Sequence, residues 1–247
     1  MPITEYDFVR HSIRLQTAPD KLFTPNKTTK LFTKAVKINP GDVVFDIGSG
    51  LGPLAIWAAL EPSSHVYSVE IVKEQYELAK QNVKNNGLES KITLYNGKLF
   101  EPIPEGIKAD VIIADVSGIS ERIARKMTTN GVHWYPLCIP TGGEDGTDII
   151  RTVLEQAGNY LTPNGRLYYP VASLSNHQRI EDLAEKIYKT RNMIIEVDFP
   201  LEEGQKEMIE RIGEQMMKET GGKAYTLGKK GSRYTWKGWI YEASNPS

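Results

Sequence analysis

The sequence predicts a doubly wound α/β fold with a mostly parallel sheet, and three observations support that prediction. Val43–Ile47 is a short apolar run typical of a buried strand, and a glycine-rich turn at 48–52 follows it directly. Pro53 then begins an apolar helix, where a missing backbone N–H costs nothing. A second strand pattern, His65–Glu70, ends on an acidic residue. Strand, glycine turn, helix and strand form the first crossover of such folds, and their ligands bind at the carboxyl ends of the strands.

Length and composition limit the class of protein. The chain has 247 residues, of which 40% are hydrophobic and 25% charged, as expected for one globular domain. The net charge of −1 provides no basic field, so nucleic acid is not indicated, although a local patch can still bind it. The single cysteine excludes intrachain disulfides, and the four scattered histidines offer no metal-ligand spacing.

The N-terminus is polar and charged, which argues against a signal peptide. The sequence also contains no apolar run of membrane-spanning length. We therefore expect a cytoplasmic protein without a membrane partner.

The segment before the first strand is predicted to be an N-terminal cover, residues 1–39. Residues 1–15 mix polar and apolar side chains in a pattern that favours partial helix. Asn26 or Thr28 can cap a helix that ends near residue 37.

Beyond the first crossover, apolar periodicity predicts alternating helices and strands. Glycine and proline signals mark the turns between them. The predicted elements are helices at 71–86, 119–127, 147–161 and 176–187, strands at 91–95, 109–115, 166–172 and 193–199, and a turn at 162–165. Segments 223–227 and 234–241, around a turn at 228–231, predict an antiparallel edge. We therefore expect a seven-stranded sheet whose last strand is antiparallel.

The glycine turn reads G-x-G-x-G, and Asp46 lies two residues before its first glycine. A dinucleotide fingerprint would place its third glycine at Pro53, so a nicotinamide-dependent enzyme is disfavoured. The turn instead resembles motif I of the class I S-adenosylmethionine (SAM) methyltransferases. That resemblance implies a Rossmann-like domain at 40–247, with SAM as cofactor. In that family the loop wraps the methionine half of SAM, which here implies contacts from Asp46, Gly48, Ser49, Gly50 and Gly52.

Glu70 ends the second strand about 20 residues after the glycine turn, where nucleotide-binding α/β folds place their ribose carboxylate. A carboxylate can accept both ribose hydroxyl protons. The alternative is a solvated residue that caps the next helix. Because the glycine turn precedes Glu70, we favour the interpretation that Glu70 binds the ribose.

Later segments resemble the small-methyltransferase group, which includes the protein-glutamine methyltransferases of release factors and ribosomal proteins. The run from Asn86 to Phe100 and the Gly-Gly-Glu-Asp-Gly run at 142–146 carry this resemblance. It implies that Asn96 and Gly97 lie near the adenine. The group has an acidic residue near Lys98, which is absent here, so Asn96 or the backbone would have to contact the adenine amino group.

After the fourth strand this group has an Asn-Pro-Pro-Tyr tetrad, whose carbonyl groups bind a planar amide or exocyclic amine. The present chain has Asp115, Val116, Ser117 and Gly118 instead. Glutamine, adenine and cytosine amino groups are therefore in doubt as acceptors. Asp115 can accept a hydrogen bond from a hydroxyl or amine and take its proton. The alternative, which the sequence supports equally, is that Asp115 accepts hydrogen bonds from backbone amides at the start of the next helix.

The long loop at 128–146 contains His133, Trp134 and Tyr135, which we predict to form a wall of the acceptor site. His133 and Tyr135 join Asp115 as candidate catalytic residues. Asp115 is also expected to bind the cofactor, because the chain after the fourth strand should face the transferable methyl group. The alternative is that Trp134 and Tyr135 only cover the core.

An insertion at 201–222 separates strands six and seven. Met208, Ile212, Gln215 and Met216 form a helical stripe there. We expect the stripe to pack against the domain. The alternative is that the helix roofs the acceptor pocket or binds a partner.

The sequence as a whole predicts a SAM-dependent methyltransferase with a protein or small molecule as acceptor. Two alternatives remain: a catalytically silent SAM-binding or scaffold subunit, and an RNA methyltransferase. No metal is expected, and the sequence leaves the oligomeric state open.

Overall fold

The computed structural model of the protein describes residues 3–18, 22–124, 140–201, 206–219 and 226–246. The chain divides into two compact units. The first unit is Met1–Asp115 with Gln156–Tyr169, and the second is Val116–Glu155 with Pro170–Ser247. The predicted boundary between a cover segment and the domain, at residues 39 and 40, stays a prediction.

The N-terminal segment is a β-hairpin, so the expectation of partial helix was wrong. Strands β1 (Ile3–Asp7) and β2 (Ser12–Gln16) pair antiparallel. Ile13 and Leu15 are fully buried, whereas Ser12 and Arg14 are exposed. Burial that alternates with a period of two is the pattern of a strand with one covered face.

Helix α1 (Lys27–Ala35) follows, and Asn26 is its N-cap. The Asn26 side-chain oxygen accepts the backbone N–H groups of Thr28 at 2.7 Å and Thr29 at 3.3 Å. Asn26 rather than Thr28 therefore begins the helix, because its side chain satisfies two N–H groups that have no partner within the helix.

Parallel strands form the centre of the first unit. Their order is β5 (Ile92–Asn96), β4 (His65–Glu70), β3 (Val43–Ile47), β6 (Ala109–Ile113) and the first part of β7 (Leu161–Ala172). Helices α2 (Pro53–Leu60) and α3 (Lys73–Asn85) form the crossovers between β3, β4 and β5. Since the strands are parallel, their carboxyl ends lie at one edge of the sheet.

Strand β7 begins earlier than predicted and includes the predicted turn at 162–165. Its ladder with β6 steps from the pair Ala109 and Leu161 to the pair Val111 and Arg166. The four residues between Leu161 and Arg166 therefore bulge out opposite Asp110, and Thr162 donates a hydrogen bond to the Asp110 carboxylate at 2.9 Å. Residues 162–165 do depart from the regular strand, as predicted, but they interrupt β7 instead of preceding it.

The second unit contains the remaining elements and the antiparallel strands. Residues 121–124 are helical, and residues 125–127 of the predicted helix lie outside the described residues. The later elements are α4 (Asp148–Ala157, which ends in the first unit), α5 (His177–Ile187), β8 (Tyr188–Pro200), α6 (Lys206–Glu219), β9 (Leu227–Lys230) and β10 (Arg233–Pro246).

The last strand, β10, pairs antiparallel with both β8 and β9. The predicted fold class, a mostly parallel sheet with an antiparallel last strand and a helical insertion, is thereby confirmed. Two details were wrong. The hairpin turn is at Gly231 and Ser232 and not at 228–231, because residues 228–230 pair in β9. The strand predicted at 223–227 is found at Leu227–Lys230, and the sheet of the described residues has eight strands where seven were expected.

Within the ranges given above, every helix is too short or too polar to cross a membrane.

Candidate functional site

The glycine turn after β3 adopts a backbone that only glycine takes easily. Gly48, Gly50 and Gly52 have φ angles of 77°, 56° and 82°, all in the left-handed region. The N–H groups of Gly48 and Ser49 donate to the carbonyl oxygen of Val69 at 2.9 and 3.0 Å. The turn is therefore held against the end of β4.

Glu70, the last residue of β4, is only 4% exposed, so it is not a solvated residue. One carboxylate oxygen accepts the Gly50 N–H at 2.7 Å, and the other accepts the Val72 N–H at 2.7 Å. Burial raises the pKa of Glu70, and these hydrogen bonds oppose the rise. Each oxygen keeps a second lone pair with which to accept a ligand hydroxyl.

Asp46 is fully buried near the carboxyl end of β3. Neither carboxylate oxygen makes a hydrogen bond of normal geometry to any described residue. Burial and the neighbouring charges of Asp115 and Glu70 raise the pKa of Asp46 to about 8, while the nearby N–H of Ala55 opposes the shift. A buried carboxylate without a partner is costly, so a bound ligand that supplies a donor or a positive charge would stabilise it.

Two further buried polar atoms near the turn have no hydrogen-bond partner in the part of the chain that the structure describes: the Ser49 hydroxyl and the Gln75 side-chain oxygen. Gln75 lies in the first turn of α3, and its oxygen is 3.6 Å from the position that a Cβ on Gly50 would take. Native proteins leave few such groups unsatisfied. The glycine turn, Asp46, Ser49 and Gln75 therefore fit a polar ligand that lies close to the backbone.

Sequence reasoning did not identify Gln75. A glutamine on a polar helix carries no signal of its own, and only the packing of α3 against the glycine turn reveals it.

Asn96 and Gly97 lie at the end of β5, beside Glu70. The Asn96 amide donates to the carbonyl oxygens of Glu70 at 2.7 Å and Ile71 at 3.3 Å, and the Gly97 N–H donates to Glu70 O at 3.0 Å. A Cβ on Gly97 would come within 2.9 Å of Pro102, so packing already requires glycine here. Both residues support the backbone at Glu70, and their contact with an adenine stays a prediction.

Asp115 lies two residues beyond the end of β6, which neighbours β3. The Thr29 hydroxyl donates to Asp115 Oδ2 at 3.1 Å. Burial raises the pKa of Asp115 to about 6, and the hydrogen bond from Thr29 opposes the rise. Among the described residues, a side chain from α1 and not a backbone amide is therefore the donor to Asp115. Thr29 is a second residue that sequence reasoning missed.

The structure thus brings together Asp46, the glycine turn, Glu70, Asn96, Gly97 and Asp115 in the first unit. His133, Trp134 and Tyr135 lie outside the described residues, so their assignment to an acceptor wall stays a prediction.

The Gly-Gly-Glu-Asp-Gly run belongs to the second unit, where it organises the chain on either side. Gly142 N–H donates to Ile119 O at 3.0 Å, and Glu121 N–H donates to Gly143 O at 2.7 Å. A Cβ on Gly146 would lie 2.6 Å from the Ser175 Cβ, so only glycine fits there. These contacts hold the chain that directly follows residues 115–118.

Helix α6 of the insertion packs within the second unit. Ile212 and Met217 contact a buried cluster that includes Ile119, Ile123 and Leu174. Packing of the stripe against the domain is confirmed for Ile212. For Gln215 the expectation was wrong, because its side chain is exposed and donates to Glu219 at 3.0 Å. The side chains of Met208 and Met216 lie outside the described set.

Comparison with known proteins gives a consistent result. Residues 38–229 match a family model described as a methyltransferase domain. A release factor glutamine methyltransferase from Bacillus anthracis is 39% identical over 120 residues, 48% of this chain and 42% of that protein. A ribosomal protein uL3 glutamine methyltransferase from Bordetella pertussis is 32% identical over 133 residues, 53% of this chain and 44% of that protein. The chain thus spans less than half the length of these curated relatives.

Among solved structures, the ribosomal protein L11 methylase from Lactobacillus delbrueckii subsp. bulgaricus superposes with a TM-score of 0.54 at 18% identity. The match covers 92% of this chain and 83% of that chain. At this identity the likeness concerns the fold alone, and it agrees with the predicted Rossmann-like architecture.

Proposed function

Since the chain belongs to the methyltransferase domain family, we propose that it transfers a methyl group from SAM to a protein acceptor. The observation that carries this proposal is the fully buried side chain of Asp46, which makes no hydrogen bond of normal geometry to a described residue and lies just before the glycine turn. A scaffold protein has no evident need for a buried carboxyl group without a partner. In a pocket for a cationic ligand, such a group would stabilise the positive charge of the ligand.

The residues around the glycine turn would hold the cofactor. Asp46, Ser49 and Gln75 offer polar atoms without partners for its amino-acid part. Glu70 offers carboxylate lone pairs for its sugar hydroxyls. Ile71, which follows Glu70, is 47% exposed and presents an apolar surface beside the sugar position, which suits a planar base.

The charge of the site favours a cationic ligand. Asp46, Glu70 and Asp115 form no ion pair with any described lysine, arginine or histidine, and the mutual repulsion of these carboxyl groups contributes to the raised pKa of Asp46. Bound SAM supplies a methyl group activated by a positively charged sulfur. The role of the protein is to align the acceptor with that methyl group and to exclude water.

The relatives support a protein acceptor, because their names specify release factor and ribosomal protein uL3 as substrates. A small-molecule acceptor is the alternative that the changed tetrad keeps open. An RNA acceptor has less support, because the net charge of −1 provides no overall attraction for a polyanion.

Isothermal titration of the purified chain with SAM, and with its demethylated product, tests the cofactor assignment. Glu70→Gln should weaken SAM binding by about tenfold to a hundredfold, because a charged hydrogen-bond acceptor is lost. The control is Glu77→Gln on α3, an exposed residue paired with Lys80, which should bind as the wild type does. If neither SAM nor its demethylated product gave a heat of binding, the proposal would be contradicted.

Transfer of a labelled methyl group from SAM to cell extract, separated into protein, RNA and small-molecule fractions, tests catalysis. We expect label in the protein fraction. Binding of SAM without label in any fraction would instead favour the silent subunit.

A further inference from the structure

We propose that Thr29 orients Asp115 as a proton acceptor for a primary amine, so that the methyl acceptor is an amine nitrogen and not a carboxamide. The inference rests on the proposed function, because it names the acceptor chemistry of the same site. Thr29 acts as a positioning residue, and Asp115 contacts the acceptor.

The neighbours of the Thr29 hydroxyl fix which hydrogen bond it accepts and which it donates. Thr29 is 1% exposed and lies in the first turn of α1. Its Oγ1 accepts the backbone N–H of Asn26 at 3.5 Å, as part of the capping box of that helix. A hydroxyl has a single hydrogen to donate. With Asn26 acting as donor to the oxygen, that hydrogen points to Asp115 Oδ2, 3.1 Å away.

Position 115 must therefore present an acceptor atom to Thr29. An aspartate meets this demand with one oxygen and keeps a second acceptor oxygen for the substrate. An asparagine would turn its oxygen to Thr29 and present its NH₂ group, a donor, to the substrate. Because of Thr29, aspartate at position 115 would present an acceptor to the substrate and asparagine would present a donor, although the two side chains have the same shape.

The surrounding charge favours a cationic acceptor. Asp46 and Asp115 lie near the tips of neighbouring strands, β3 and β6, and Glu70 follows on the other side of β3. None of these carboxyl groups is within 4.0 Å of a basic group of the described residues, and Lys27, Lys30 and Lys34 of α1 are exposed. An alkylammonium brings positive charge into this site, whereas a carboxamide brings none.

Methyl transfer to an amine begins with a proton transfer. The ammonium transfers one proton to Asp115, which leaves a neutral amine with a free lone pair. That lone pair forms the new N–C bond to the methyl group while the S–C bond breaks, and the electron pair of the broken bond stays on sulfur. The product leaves as a methylammonium, and Asp115 returns its proton to solvent. A carboxamide nitrogen lacks such a lone pair, because resonance delocalises it into the carbonyl group.

The first test uses the protein fraction of cell extract with labelled SAM, either untreated or with its amines acetylated. Acetylation blocks lysine side chains and N-termini and leaves carboxamides intact. We expect about a tenfold or greater loss of label after acetylation. Acid hydrolysis of the untreated sample should return the label as a methylated lysine or an N-methylated terminal residue, which identifies the source of the amine.

Label that survives acetylation and is released by acid as methylamine would identify a carboxamide acceptor. That result would overturn the inference and leave the proposed function standing. Failure of SAM to bind would instead overturn the proposed function itself, so the two failures are distinguishable.

The second test uses variants. Asp115→Asn should lower transfer to amines by about a hundredfold or more while the Kd for SAM changes by less than about threefold. Thr29→Val should shift the acidic limb of the kcat/KM profile to higher pH, because it removes the hydrogen bond that lowers the pKa of Asp115. SAM binding by each variant shows that it is folded.

The matched control is Thr33→Val, a buried threonine of the same helix whose hydroxyl donates to Lys30 O at 2.9 Å. Its pH profile should match that of the wild type. Amine transfer that survives in Asp115→Asn, or an acidic limb that does not move in Thr29→Val, would overturn the proposal.

Discussion

Asp46 has a raised pKa of about 8, which results from burial and from the nearby carboxyl groups of Asp115 and Glu70. At pH 7 the ligand-free side chain is therefore mostly protonated. A cationic ligand stabilises the ionised form, so its binding would lower this pKa. Ligand binding and the loss of a proton are then linked at this residue.

We predict that SAM binding at pH 7 releases close to one proton from Asp46, since a group with a pKa of about 8 is about nine-tenths protonated at that pH. The release should fall towards zero as the pH rises well above 8, where the free protein has already lost the proton. Titrations in buffers of different ionisation enthalpy measure it. Asp46→Asn should abolish the release. Binding enthalpies that do not depend on the buffer would contradict the assignment.

At the scale of secondary-structure elements, Asn82 and Gly146 each hold neighbouring segments together through specific contacts. Asn82 of α3 accepts the Gln16 N–H of β2 at 2.6 Å and donates to the carbonyl oxygen of Leu51 at 3.0 Å. It therefore ties the N-terminal hairpin to the glycine turn. In the second unit, Gly146 lies with φ 84° against Ser175 and the Ser120 N–H. Each connection depends on one small or polar residue that no apolar pattern reveals.

Gly146→Ala should destabilise the chain by about 3 kcal/mol or more, because the new Cβ adds a steric clash to a left-handed backbone. The control is Gly231→Ala in the turn between β9 and β10. Gly231 has φ 63°, and a Cβ there would meet nothing within 4 Å, so only about 1 kcal/mol should be lost. Urea unfolding followed by circular dichroism measures both. Equal losses in the two variants would show that the clash at Gly146 is relieved.

For the molecule as a whole, the cofactor residues and the insertion belong to different units. Asp46, Glu70 and Gln75 lie in the first unit, and α6 lies in the second. Within the second unit, α6 packs on Ile119 and Ile123. Ile119 directly follows the segment that takes the place of the tetrad. The insertion is therefore expected to affect the acceptor and not the cofactor.

Replacement of residues 202–222 by a short glycine–serine linker should leave the Kd for SAM unchanged within about threefold and alter which proteins are labelled. The physical reason is the loss of support for the chain that follows position 118. Isothermal titration and labelling of separated extract proteins measure the two effects. As a control, Glu214→Ala changes an exposed side chain of the same helix and should retain the labelling pattern. A folded linker variant with the wild-type pattern would disprove a role for α6 in acceptor choice.

Local patterns predicted the elements of the first crossover well. The bounds of α2 and β4 agree with the sequence interpretation, because a proline at the first helical turn, a glycine turn and an apolar strand are all local signals. The N-terminal hairpin and the hairpin turn at Gly231 were misjudged. These short strands form because they pair with another strand. The hydrophobic periodicity of one segment contains no information about its pairing partner.

The sequence by itself determined the α/β architecture, the left-handed glycine turn, and the placement of Asp46 and Glu70 near the carboxyl ends of neighbouring strands. Each follows from a motif of a few adjacent residues. Only the tertiary structure decided that Gln75 faces the glycine turn and that Thr29 donates its one hydroxyl hydrogen to Asp115. Those contacts join residues far apart in the chain, and a hydrogen bond depends on where the backbone brings its two atoms and not on the residue types alone.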